Sequence, residues 1–435
     1  MEWYLVLSIL LASLTFFLVL GLPVAFSLGF LSIICAFIFW PGTSGLFGVA
    51  LAGYGHINSF TLVCIPLFIF MAELVMFSRM GTETYDVADR FLHRMPGGVG
   101  MTSAIFGAIF GAVCGASTAG TATVGLVSLP EMTNRGYDKG FAGAIVAFAG
   151  AMSILIPPSV ILILYGTLAQ QSIGALFAGG MVPGAIMTLL TIAYIWIRVY
   201  LQPSIAPRDD VQYSWAEKFG ALWKVWSLLL IIVLLLGTIY TGIATPTEAS
   251  AVSALAVFII ALVRRKLSLE LLRHAILQTV RTTAMIGWII IGATAFGYVI
   301  IYSGVAAQLS SWIVSLPMPV WCIVLILMLG FLVMGMFLDP AAIVMMTTPL
   351  ILPILQTLDI NLLWFGVLMT INMCAGNISP PMGLNLYIVK GLRNDMDMKL
   401  LFYAAVPFIA IDFITILLCM VFPNIITFLP RALGY

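Results

Sequence analysis

The sequence predicts an all-α polytopic membrane protein built from two inverted-topology repeats, each holding a re-entrant helical hairpin and a broken transmembrane helix. Three observations carry that expectation. Of the 435 residues, 62% are hydrophobic and only 8% are charged, too few polar groups to cover a soluble core of this size, so the chain belongs in a bilayer. Two long apolar stretches, 97–170 and 318–391, are interrupted by Gly, Pro, Ser and Asn, where an ordinary spanning helix carries Leu and Val. The third observation is self-similarity. Shifted by 223 residues without gaps, Gly81 falls on Gly304, Pro96 on Pro319, Gly107 on Gly330, Pro130 on Pro353, Gly143 on Gly366, and Pro157 and Pro158 on Pro380 and Pro381. Chance would give about one or two such matches between residues with special backbone roles.

Taken in order, apolar runs of spanning length, about 17 to 25 residues, cover 3–20, 23–40, 60–77, 172–199, 222–242, 247–263, 282–303 and 401–423. The first run lacks the basic start and cleavage site of a signal peptide and reads as a retained helix. Segments 79–96 and 302–317 precede the two interrupted stretches and read as helices lying along the membrane surface.

Charge supplies the orientation. Arg79, Arg90 and Arg94 lie in the first surface segment, whereas its counterpart has no Lys or Arg. The positive-inside rule places the first in the cytoplasm and the second outside, so the copies are inverted. With the N-terminus outside, hairpins 97–133 and 318–356 open inward and outward, broken helices 138–170 and 361–391 cross, and three helices fill 172–263 between the copies. Every Lys and Arg except Arg431 then faces the cytoplasm, and both termini face the periplasm.

The interruptions need a purpose, because unsatisfied backbone in hydrocarbon costs several kcal/mol per group. Each copy has a hairpin tip and a helix break. In the first they are "CGASTAG", with Gly115, Ala116, Ser117 and Thr118, and "SILIPPS", with Ser153, Ile156 and Pro157. In the second they are "GMFLDPAA", with Asp339, and "NMCAGNISPP", with Asn372, Gly376, Asn377 and Ser379. Tips and breaks near the midplane are how secondary transporters build sites: helix N-termini face an anionic substrate, while freed carbonyls and Ser, Thr and Asn oxygens hold Na⁺. Two copies imply at least two sites, one of Ser117, Thr118 and the 153–157 break, the other of the Asp339 tip with Asn372, Asn377 and Ser379.

Simpler roles stand beside these. Ser117 and Thr118 suit a helix cap. Asp339 before Pro340 has the form of an N-cap followed by Pro at the first helical position. "TPTE" at 245–248 reads as a capping box, and Glu73 suits a side chain snorkelling toward Arg79. The six Cys are scattered through apolar segments and read as buried thiols. The three isolated His give no metal site, catalytic triad or other enzyme constellation, no organic cofactor is indicated, and a net charge of +1 points to no nucleic-acid partner.

The motifs "PLFIFMAELVMFSRMG" (66–81), "GASTAGTATVG" (115–125), "IPPS" (156–159), "TPTEA" (245–249), "GMFLDP" (335–340) and "SPPMGLNLYIVKG" (379–391) together resemble the large membrane subunit, C4-dicarboxylate type, of tripartite ATP-independent periplasmic (TRAP) transporters. The resemblance covers nearly the whole chain. It implies an ion-transporter-superfamily-like elevator in the bacterial or archaeal inner membrane, driven by Na⁺ as coupling ion, which accepts an organic anion from a periplasmic substrate-binding protein and works with a separate small four-helix membrane subunit. Residues 97–200 and 318–435 would form the transport domain, with 1–96 and 201–317 as scaffold and surface arms. The family's Na⁺ sites match Gly115–Thr118, Ser153–Pro157, Asp339 and 372–379. A stand-alone divalent-anion/Na⁺ symporter, which would need no binding protein, shares the hairpins and inverted repeats and is the alternative.

Overall fold

Membrane lipid is the solvent that explains the surface. Phe37, Phe47, Val233 and Val263 are all more than two-thirds exposed, an arrangement stable only where hydrocarbon covers them, and the backbone answers the same solvent by closing its hydrogen bonds within helices. The computed structural model describes residues 2–40, 43–78, 80–92, 94–207 and 213–435; Arg79 and His93 lie outside these. All regular elements among the described residues are helical.

The chain begins with α1 (Trp3–Val19), α2 (Val24–Phe39), α3 (Ser44–Ile57) and α4 (Cys64–Phe77), followed by the amphipathic α5 (Met80–Leu92). Helices α6 (Gly98–Cys114) and α7 (Ser117–Asn134) form a hairpin. The broken pair α8 (Lys139–Ala151) and α9 (Val160–Ala169) leads to α10 (Ile173–Leu201). Next come α11 (Trp215–Leu222), α12 (Trp226–Tyr240), α13 (Pro246–Val263) and α14 (Leu269–Tyr302). The pattern then returns: α15 (Val305–Ser315), hairpin α16 (Val320–Gly335) and α17 (Pro340–Thr357), broken pair α18 (Leu362–Ile378) and α19 (Leu384–Leu392), then α20 (Met398–Val421) and α21 (Asn424–Ala432). Moved by 223 residues, α7 falls on α17 end for end.

Local chemistry sets these boundaries. Asp138, Ser159, Ser172, Asn361 and Asp339 each cap the helix that follows by accepting from a backbone N–H in its first turn. Thr245 and Glu248 form both bonds of the capping box that opens α13.

Six helices among the described residues are long and apolar enough to cross a bilayer. Two of the expected spans differ in detail. Within segment 222–242 the helix is α12, Trp226–Tyr240, and a 48° bend at its start separates it from α11. Helix α14 runs 34 residues, about 51 Å at 1.5 Å per residue, because Ser268 caps it well before the apolar run starts. Helix α3 had no expected span; it packs along α14 and α2.

The two hairpin units meet through α8, which packs on α6, α7, α18, α19 and α20. Ion pairs tie α5 to the ends of other helices: Glu83 to Arg264, after α13, at 2.8 Å and Asp89 to Arg135, after α7, at 3.2 Å. Arg90 donates to the Glu217 carbonyl at 3.4 Å.

Candidate functional site

The first hairpin turns at Gly115, whose φ of +63° is a left-handed conformation that an L side chain adopts only at a cost. A Cβ here would also run into the Pro158 carbonyl. The turn brings tip and break together: the Gly115 carbonyl accepts from the Val160 N–H, first residue of α9, at 3.2 Å. The Ser153 hydroxyl lies 2.6 Å from the Gly150 carbonyl and 3.0 Å from that of Ala116. Pro157, lacking an N–H, interrupts the ladder between them and is buried; Ile156 is half-buried beside it.

Ser117 opens α7 and is the centre of a polar cluster. Its hydroxyl donates to Asn385 Oδ1 at 3.1 Å and accepts from Asn385 Nδ2 at 2.8 Å and from Asn377 Nδ2 at 3.1 Å. Asn385 Nδ2 also reaches the Ala147 carbonyl of α8 at 3.1 Å. Ser117, Asn377 and Asn385 are 5%, 1% and 0% exposed. The cluster therefore joins the first tip to the second break, across the two units. That differs from the expected grouping of Asn377 with the Asp339 tip: Asn377, near the end of α18, reaches Ser117, and α19, which carries Asn385, packs on both α7 and α8.

The remaining candidates are dispersed around this centre. Asn372 donates through Nδ2 to the Met328 carbonyl of α16 at 2.6 Å. Gly376 packs backbone to backbone on Gly335, which would meet its Cα at 2.9 Å if it carried a Cβ, so the second hairpin lies directly against α18. Ser379 bonds the Ala375 carbonyl at 2.7 Å. Asp339 accepts from the Ala341 N–H at 2.9 Å, the N-cap geometry. Thr118 is exposed.

Three buried oxygens around tips and breaks have no hydrogen-bond partner: Asn377 Oδ1, Asn372 Oδ1 and Thr121 Oγ1. Such groups are costly at this depth unless something accepts their lone pairs. All three are neutral, and among the described residues no His, Cys, Asp and Glu group is arranged to hold a metal ion. Sequence reasoning missed Asn385 and Thr121. Both sat inside the quoted motifs, and the available signal was a polar side chain in the first turn after a break or tip.

A polytopic helical bundle whose hairpin tip meets broken membrane helices at a buried set of neutral oxygens is the architecture of a secondary membrane carrier. The chain belongs to the DctM component family of tripartite ATP-independent periplasmic transporters, whose family model matches residues 11–425. It is 30% identical over 378 residues to the C4-dicarboxylate TRAP transporter large permease protein DctM of Pseudomonas aeruginosa, covering 86% of this chain and 87% of that one. It is 32% identical over 421 residues to the isethionate TRAP transporter permease protein DctMQ of Oleidesulfovibrio alaskensis, covering 96% of this chain and 65% of that one. Against the sialic acid TRAP transporter large permease protein SiaM of Vibrio cholerae the identity is 29%, with 95% and 96% covered. The Alcanivorax borkumensis YdaH transporter superposes with a TM-score of 0.61 at 14% identity, over 91% of this chain and 90% of that one, a likeness of fold alone. The relatives are transport permeases, so the chain is a membrane-integral transporter component and not an enzyme.

Proposed function

We propose that the chain carries out Na⁺-coupled uptake of an organic anion, a carboxylate or related acid, across the inner membrane. It receives the anion from a periplasmic binding protein and works with a small four-helix membrane subunit. The observation that carries this reading is the buried Ser117–Asn377–Asn385 cluster with its unpartnered Asn377 oxygen. A monovalent cation at membrane depth has lost its water and needs several oxygens at once; neutral ones replace the shell without a charge that would slow release. Helices α7, α9, α17 and α19 all begin at tips or breaks, and their positive ends favour an anion nearby. C4-dicarboxylate, isethionate and sialic acid, named for the relatives, share an acidic group and little else.

In this reading the two units are inverted, residues 97–200 and 318–435 move as a transport domain, and 1–96 with 201–317 stay as scaffold. The termini face the periplasm. What supports the orientation is that basic segments expected in the cytoplasm lie together: Arg264 reaches Glu83, and Arg90 reaches the 215–222 helix.

The test is reconstitution of this chain with its small subunit and cognate binding protein in liposomes. Uptake of a bound organic anion should require inward Na⁺ and all three proteins. Uptake by this chain alone would instead make it a stand-alone symporter, and uptake indifferent to Na⁺ would remove the coupling ion.

A further inference from the structure

Helix α20 carries a carboxylate that the tips and breaks do not use. Asp412 is 0% exposed, and neither of its oxygens has a hydrogen-bond partner. It sits midway along a 24-residue apolar helix that packs on α8, α18, α10, α19 and α21.

The neighbouring elements hold little to neutralise it. Their cations stand at helix ends: Lys139 opens α8, Arg198 lies in the last turn of α10, Lys390 in that of α19 and Arg431 in that of α21. Lys399 stands at the start of α20 itself. The other titratable groups are Tyr194 and Tyr200 on α10, Tyr387 on α19, Tyr403 and Cys419 on α20 and Cys374 on α18. Of these Cys374 lies within reach of the Asp412 charge, and its thiol already bonds the Ala151 carbonyl at 3.3 Å. An isolated ionised carboxylate here would be very costly. A metal cation would need several further ligands, and among the described residues no group of His, Cys, Asp and Glu is arranged to hold one. A proton needs none.

A cavity of about 440 Å³ opens beside α20, lined by Asp138, Tyr194, Arg198 and Pro407. Pro407 lies five residues before Asp412 on α20, about 7.5 Å along the axis at 1.5 Å per residue. Between them stands Phe408, whose ring packs against Tyr194 at 5.1 Å and Phe148 at 5.3 Å. Pro407 itself leaves a gap in the helix ladder at that turn.

We propose that Asp412 is a proton-binding site of the hairpin-bearing bundle, filled through the cavity at Pro407 past the Phe408 ring, so that the carrier holds one proton at α20 besides whatever occupies its tips. The site goes beyond the Na⁺ reading, which stands or falls on other residues. When a proton binds, the carboxylate becomes the neutral acid; when it leaves, the proton returns to water in the cavity.

The experiment compares the wild-type complex with Asp412→Asn in liposomes. The infrared difference spectrum should show a protonated-carboxyl carbonyl band in the wild type that Asp412→Asn lacks and that fades as pH rises. Wild-type uptake should fall across the same range, approaching about tenfold per pH unit above the midpoint, while the uptake of Asp412→Asn is flat. Identical bands in both proteins, identical pH profiles, or a band that follows Na⁺ concentration and not pH would overturn the proposal. If Asp412→Asn fails to assemble, Asp412→Glu decides: a moved midpoint supports the proton site and an unmoved one overturns it. Half-saturation by Na⁺, read in the same liposomes, separates this outcome from failure of the tip site.

Discussion

The first and second hairpin units share one order of helices but are packed differently. In the first, the tip is sealed onto its own break through Gly115 and Val160, and 152–160 are buried apart from half-buried Ile156. In the second, Pro380, Pro381 and Met382 are exposed, the Asp339 side chain caps its own helix, and Val333 and Phe337 face outward. Repetition of a backbone plan thus does not repeat the site. The polar cluster forms where the first tip reaches across to the second break, whereas the second hairpin packs backbone against backbone on its own break helix, Gly335 on Gly376.

The most drastic way to break this contrast is Gly115→Ala. It should cost about 1–2 kcal/mol for the left-handed turn alone, and the clash with Pro158 should add enough to abolish both a stable complex and uptake, read by detergent-solubilised yield and transport.

Equivalent positions in the two units should then respond oppositely. A Cβ at Gly107 would meet the Ala149 Cβ and carbonyl at 2.7 Å, whereas Gly330 has nothing within 4 Å. Gly107→Ala should destabilise by about 1–3 kcal/mol, and Gly330→Ala should be neutral or gain up to about 1 kcal/mol of helix propensity. Thermal melts of the two purified variants measure the difference, and equal melting would erase the asymmetry.

Asn385→Ala removes the residue that ties Ser117 to α8 and should cost about 1–3 kcal/mol, the penalty for leaving a buried partner unmade. Asn385→Asp keeps the shape but loses both Nδ2 bonds and buries a carboxylate, so it should melt lower than Asn385→Ala.

Much of this architecture was legible in the sequence. The interrupted stretches and the 223-residue offset located both hairpins and both broken helices nearly to the residue, because Gly and Pro fix backbone whatever surrounds them. Helix α3 escaped because its 14 residues fall short of a span and Gly45, Gly48 and Gly53 dilute its apolar signal. The cluster was half legible: Ser117 and Asn377 stood out as polar residues at a tip and a break. Which tip meets which break is a contact between residues 260 positions apart, and periodicity carries no information at that range.

The smallest effect concerns a surface link between the same units. Lys139, at the start of α8, pairs with Asp395 beyond α19 at 2.7 Å; Lys139 first, then Arg393, hold that carboxyl well below the usual carboxylate range. A depressed carboxylate stabilises above its unfolded value, about 3.9, and loses that contribution as pH falls below it. Lys139→Ala should therefore leave neutral-pH melting within scatter and make the decline below about pH 4 shallower. A large neutral-pH effect would show that the surface, and not the buried cluster, joins the units.

The most direct measurement is a double-mutant cycle between Ser117→Ala and Asn377→Ala, reading the Na⁺ concentration for half-maximal uptake in proteoliposomes with membrane insertion and small-subunit association checked in each variant. If both side chains belong to one cation site, as proposed, each single variant should raise that concentration, and the double variant should raise it by clearly less than the product of the two. Unchanged Na⁺ dependence in both singles at normal protein levels, or strictly multiplicative effects in the double, would contradict a Na⁺ site shared by the first tip and the second break.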